Sequence, residues 1–207
     1  MGNGFDFGTL SSFHLDVLRE IGNIGAGNAA TALAKLLHKK IDMNVPQIRV
    51  MDFSEVSDML GGAEIQVVGI LLEVNGDITG NMMFILDIQS SQLLVNFLMG
   101  RPSQTDLEFD EITLSALKEI GNILAGSYLT ALSNLTNLKI MPSVPGLAID
   151  MAGAILSVPA IEFGKTSDVV LYIENEFTDG VNSVIGNLFL IPDHESCNRL
   201  LQALGVV

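Results

Sequence analysis

Positions 16–36 of the chain match positions 115–135 without a gap, 99 residues on, with 12 identities in 21. The stretch Leu18-Arg19-Glu20-Ile21-Gly22-Asn23-Ile24-Gly25-Ala26-Gly27 returns as Leu117-Lys118-Glu119-Ile120-Gly121-Asn122-Ile123-Leu124-Ala125-Gly126, and Pro46 meets Pro145 at the same offset. An insertion-free match of that length marks a duplicated unit of about a hundred residues. The fold must therefore be built from two like halves.

The repeated stretch reads as a helix. At about 100° per residue from Leu18, the residues Ile21, Gly25, Ala29, Leu33 and Leu36 fall within about 60° of it, an apolar stripe suited to a core. Asp16, Glu20, Asn23 and Gly27 fall on the opposite side. In the second copy Leu117, Ile120, Leu124, Tyr128, Leu132 and Leu135 make the stripe, and Ser115, Glu119, Asn122 and Gly126 make the outward row. A solvated helix face is the simplest account of a lone Glu-x-x-Asn. It does not explain why both copies keep Asn flanked by Gly, because Asn is a poor helix former and each interior Gly costs up to about 1 kcal/mol relative to Ala. A glycine one turn beyond the Asn leaves room for the backbone of a partner. Gly22 and Gly121, nearer the apolar edge, suit tight packing instead.

Asparagine cannot take a proton at neutral pH, but its amide can orient a water by accepting from it while donating to a neighbouring oxygen. Positioning a water for in-line attack is the main task of a protein in phosphoryl hydrolysis. Glu20 and Glu119, one turn earlier, could hold a cationic group of a partner or act as a base; the first role suits a solvent-facing carboxylate.

These residues resemble the CheC-type chemotaxis phosphatases, a family that includes CheX and the flagellar-switch protein FliY. The family motif, Asp or Ser, three residues, Glu, two residues, Asn, and a Pro some twenty residues on, is matched by Asp16, Glu20, Asn23 and Pro46, and by Ser115, Glu119, Asn122 and Pro145. The resemblance spans essentially the whole chain. It implies hydrolysis of the aspartyl phosphate on the response regulator CheY, with Asn placing the attacking water and Glu pairing with a lysine of the regulator. It also implies that the Mg²⁺ belongs to the regulator, so that this chain needs no cofactor or metal ligands of its own. Within the family the segment matching Ile149-Asp150-Met151 is associated with docking of the receptor deamidase CheD, which makes Asp150 a candidate partner-binding residue. The plainer account of that segment is a strand, a helical turn and a solvated Asp.

Composition bounds the rest. At 207 residues and a mean hydropathy of +0.45 the chain can bury a substantial core. Its apolar runs fall far short of the ~20 residues of a membrane span. Residues 1–12 carry Asp6 and no basic cluster before an apolar block, unlike a secretory signal, so a soluble cytoplasmic protein is the expectation. The single cysteine, Cys197, excludes an intramolecular disulfide and agrees with a reducing compartment. Ten basic against 24 acidic residues, a net charge of −14, argue against nucleic-acid or anionic-membrane partners. Association with an acidic regulator should then improve with added salt unless local Lys and Arg offset the field.

Other motifs are weaker. Gly22-Asn23-Ile24-Gly25-Ala26-Gly27 has the spacing GxxGxG, but the order is wrong for a dinucleotide loop and no strand precedes it. His194 and Cys197 could form a thiol–imidazole pair, yet Asp193 reads as a helix cap and Cys197 as a small hydrophobe. His14 and His38 stand isolated from any metal-ligand spacing, and Met82, Met83 and the other methionines read as core fillers.

Along the chain we expect a helix over 12–39, a strand over 47–53, a helical turn over 54–59, a hairpin of 64–74 with 78–86 around Asn75-Gly76-Asp77, and a helix over 89–99. After the linker 101–110 the order repeats: helix 111–137, strand 147–151, hairpin 169–177 with 184–191 around Thr178-Asp179-Gly180, helix 196–204. Asp87 pairs with Asp193 and Leu94 with Leu200 at an offset of 106, so the second half has gained seven residues between its long helix and its hairpin. The halves, about 12–100 and about 111–205, offer only about three strands each, and a shared sheet buries more apolar area. The expectation is one α+β domain over 1–207, internally duplicated with pseudo-twofold symmetry, having a mostly antiparallel six-stranded sheet and two long motif helices exposed outside. The function that the resemblance implies is dephosphorylation of CheY; the alternative is an adaptor that grips CheD or phosphorylated CheY without hydrolysis. A purely structural switch component is disfavoured, because the chain ends soon after the second half.

Overall fold

The computed structural model describes residues 12–38, 40–102, 108–162, 169–178 and 183–205. The N-terminal stretch 1–11, linker positions 103–107 and the Asp179-Gly180 turn lie outside the described residues. The first half runs α1 (Ser12–Leu37), β1 (Asp42–Asn44), β2 (Ile48–Asp52), a 3₁₀ turn (Phe53–Glu55), α2 (Val56–Met59), β3 (Gln66–Gly76), β4 (Gly80–Asp87) and α3 (Ile88–Met99). The second runs α4 (Glu111–Thr136), β5 (Ile140–Pro142), β6 (Gly146–Met151), α5 (Ala152–Glu162), β7 (Val169–Thr178), β8 (Ser183–Pro192) and α6 (His194–Ala203).

All strands join one antiparallel sheet, and the halves are interleaved in it. The order is β1-β7-β8-β4-β3-β5, with β2 also paired to β7 and β6 also paired to β3. The short strands of each half thus pair with the long hairpin of the other. β4 and β8 meet in the middle, Met82 opposite Leu190 and Phe84 opposite Leu188. The α+β class and the antiparallel sheet agree with expectation. The sheet has eight strands rather than six, because β1 and β5 are three residues long and show no readable alternation.

Period-2 alternation sorts the sheet's side chains onto two faces. Val68, Ile70, Leu72, Met82, Phe84, Leu86, Ile173, Leu188 and Leu190 face a core shared with α1, α4, α3 and α6. Val67, Met83, Ile85, Tyr172, Phe189 and Ile191 face a smaller core with Val56 of α2 and Ile155 of α5. Each fully buried Leu, Ile or Phe contributes about 1.5–3 kcal/mol relative to exposure, so the larger core under α1, α3, α4 and α6 contributes most.

The repeats keep their local signals. α1 ends where His38 turns left-handed (φ 52°), and α4 ends at Asn137 (φ 56°), again 99 residues on. α1 therefore stops two residues before position 39, well ahead of Pro46. Leu36 and Leu135, on the correct stripe, are exposed because these last turns run past their cover. Asp87 and Asp193 cap α3 and α6, accepting at 2.7 Å from the backbone N–H of Ser90 and Ser196. The methionines Met82 and Met83 are buried in the two cores.

One element breaks the symmetry. Ile48 pairs with Ile173, which pairs with Leu188, the counterpart of Met82 at the offset of 106. Leu147, the counterpart of Ile48, pairs with Ile70, which pairs with Phe84 instead. The β6 strand thus sits two residues further along its hairpin than β2 does. An even slip keeps every side chain on its face while moving the segment along the sheet.

Candidate functional site

α1 and α4 lie side by side on the sheet and cross where a small residue meets a large one. A Cβ added at Gly25 would run into the ring of Tyr128, whose buried hydroxyl donates to Asn175 Oδ1. Asn175 Nδ2 in turn donates to the Ile173 carbonyl at 3.0 Å. The counterparts of Gly25 and Tyr128 at the 99-residue offset are Leu124 and Ala29. Burial follows the sequence stripes: Leu18, Ile21, Ala29 and Leu33 on α1, and Leu117, Ile120, Leu124, Tyr128 and Leu132 on α4, are all in the core.

The opposite faces are open. Asp16, Glu20, Asn23 and Gly27 are exposed, as are Ser115, Glu119 and Asn122, while Gly126 is half-buried. Among the described residues, no hydrogen bond or ion pair occupies Glu20, Asn23, Glu119 or Asn122. Both amides keep their full donor and acceptor capacity for a visitor. Asp16 differs: its Oδ1 accepts from Arg19 Nη1 at 2.9 Å, an i,i+3 pair absent from the second copy, where Ser115 and Lys118 stand.

The glycines divide by role. A Cβ at Gly22 would strike Ile48 Cδ1, and one at Gly121 would lie 2.6 Å from Ile70 Cγ2, so these two let the helices sit down on the sheet. A Cβ at Gly27 or Gly126 meets nothing within 4 Å. Among the described residues their bareness serves no packing. Pro46 and Pro145 lie just before β2 and β6, and Val45 Cγ1 comes within 3.4 Å of the Gly22 Cβ position. The proline segment thus runs beside the helix that carries Asn23.

Each half therefore presents a carboxylate, a carboxamide and an open glycine in one line on a rigid helix. Among the described residues, no group of three or more His, Cys, Asp or Glu is arranged to hold a metal ion. GxxGxG lies inside α1 and forms no loop. Cys197 is buried on α6, lining an apolar cavity with Leu18, Leu200 and Leu201, while His194 is exposed. Asp150 is exposed on β6, its Oδ1 accepting from the Met151 N–H at 2.7 Å. It lies on the sheet edge, away from the helix row. No helix among the described residues is long and apolar enough to cross a membrane.

The CheC-like family model matches residues 13–49 and 112–149, the two motif helices with the segments that follow them. The chain is 40% identical over 203 residues to the CheY-P phosphatase CheC of Bacillus subtilis, covering 96% of this chain and 97% of that protein. It is 31% identical to the flagellar motor switch phosphatase FliY of Bacillus subtilis over 66% of this chain and 35% of that protein. Among solved structures, Thermotoga maritima FliY superposes with a TM-score of 0.74 at 25% identity, covering 95% of this chain and 98% of that one.

Proposed function

The chain belongs to the CheC-like family, and from that premise we propose that it is an enzyme that hydrolyses the aspartyl phosphate of phosphorylated CheY. One observation carries the reading: two Glu-x-x-Asn pairs stand on solvent-facing helix surfaces with their side chains unoccupied among the described residues. The Asn23 or Asn122 carboxamide accepts from a water and donates to a phosphoryl oxygen, aligning the water with phosphorus. The water oxygen bonds to phosphorus, the bond to the regulator's aspartate oxygen breaks, and phosphate leaves a free carboxylate. Glu20 or Glu119 pairs with a cationic group of the regulator and sets the docking register. The open backbone at Gly27 and Gly126 admits the partner's loop. The Mg²⁺ that steadies the phosphoryl group belongs to the regulator, and this chain adds no cofactor.

Decay of phosphorylated CheY tests the proposal. Asn23→Ala combined with Asn122→Ala should cut the acceleration on the order of a hundredfold, the scale of lost positioning. A double variant as fast as the parent would reject catalysis. No acceleration by the parent would favour the adaptor reading.

The open edge of β6 supports a second, compatible reading. Asp150 and half-exposed Met151 offer an acidic and apolar contact for CheD, remote from the helix row. Asp150→Lys should abolish CheD binding and leave dephosphorylation intact; full binding by that variant would remove Asp150 from the interface.

A further inference from the structure

Val144 is 89% exposed, the most exposed of the large hydrophobic residues in the described structure, and it immediately precedes Pro145. Its counterpart Val45 is half-buried and reaches α1 at Gly22. The chemistry is the same at both positions, so sequence does not explain the difference. The two-residue slip of β6 does: it carries the segment along the sheet, and Gly121 packs on Ile70 with no side chain of residues 143–145 among its nearest neighbours.

The exposed valine is not on a loose loop. Ser143 N–H donates to the Glu73 carbonyl at 2.8 Å, and Ser143 Oγ accepts from the Glu73 N–H at 2.9 Å. Pro142 and Pro145 flank it, and β5 and β6 both pair with β3. A rigid apolar projection is thus present beside the second site and lacking beside the first.

Its position fits one occupant. Val45 Cγ1 lies 3.4 Å from the Gly22 Cβ position, next to Asn23, and the two-residue slip displaces Val144 from the equivalent place by roughly 7 Å, which keeps it near Gly121 and its neighbour Asn122. A standard interface buries about 800 Å² per partner, a disc roughly 16 Å in radius. A protein seated on Glu119 and Asn122 therefore covers Val144 as well.

We infer that Val144 is an apolar docking contact for the phosphorylated regulator at the second site only, making the two sites unequal in affinity. The inference rests on the phosphatase reading. It is tested with single-site enzymes: Asn23→Ala leaves only the second site, Asn122→Ala only the first. Adding Val144→Asp or Val144→Ser to Asn23→Ala should raise KM about fivefold to tenfold, the scale of one lost aliphatic contact, with kcat unchanged. The same changes in Asn122→Ala should leave KM unmoved, and because the residue is exposed, neither should shift Tm. An unchanged KM in the Asn23→Ala background overturns the inference, and so does an equal rise in both backgrounds. If Asn23→Ala with Asn122→Ala keeps full activity, the phosphatase reading fails first, and the two failures are distinct.

Discussion

At the residue scale, glycines that look alike in sequence do opposite work. Gly25 and Gly27 are two positions apart, yet a methyl group at the first meets a buried aromatic ring and at the second meets nothing within 4 Å. The Tyr128 ring cannot retreat easily, because its hydroxyl is tied to Asn175 inside the core. Gly25→Ala should therefore destabilise the protein by about 1–3 kcal/mol, the usual cost of overpacking, read as a lower denaturant midpoint. Gly27→Ala should leave stability equal or raise it by up to about 1 kcal/mol through helix propensity, while lowering the activity of the first site measured in Asn122→Ala. Full activity in that variant would argue against close backbone approach at Gly27. The helical wheel had put Gly22 and Gly121 near the apolar edge, and both do pack. It gave no sign that Gly25 faces Tyr128, since that contact joins residues over a hundred positions apart.

At the element scale, the Asp193 cap was legible and the short strands were not. Asp193 before an amphipathic stretch reads as an N-cap, and it caps α6, while also receiving the Thr79 hydroxyl from the other half. Burial by itself pushes the Asp193 carboxyl up, but hydrogen bonds from Thr79 and Ser196 outweigh it and hold the group below the usual carboxylate value. A depressed folded value means its stabilisation is present above about pH 4 and is lost as pH falls through the folded value. Asp193→Asn keeps a capping oxygen without the titration, so its Tm should fall less steeply than the parent's below about pH 4. Parallel profiles would show that this cap does not contribute. Asp110, capping α4 through the Thr113 N–H, is shifted the same way but is fully exposed. β1 and β5 escaped detection because three residues carry no period, and only pairing with β7 and β3 makes them strands.

At the scale of the whole molecule, the duplication yields an exchange rather than two neighbours. β1 and β2 pair with β7, and β5 and β6 pair with β3, so neither half holds its own edge strands. An isolated fragment of residues 1–101 would expose the edges of β3 and β4 and the apolar stripe of α1. We expect that fragment to be unfolded by circular dichroism, and the full chain to melt in one cooperative step. A folded fragment, or two separate transitions, would show that the halves are independent domains.

The sequence by itself determined the duplication, the two long helices, the hairpins and the outward Glu-x-x-Asn rows, because those depend on periodicity and spacing within one segment. Tertiary structure alone decided which half each edge strand joins, the two-residue slip of β6, the Gly25–Tyr128 crossing and the projection of Val144. Each of these is a choice between partners that local sequence leaves nearly equal, and burying both apolar helix stripes on one shared sheet resolves it.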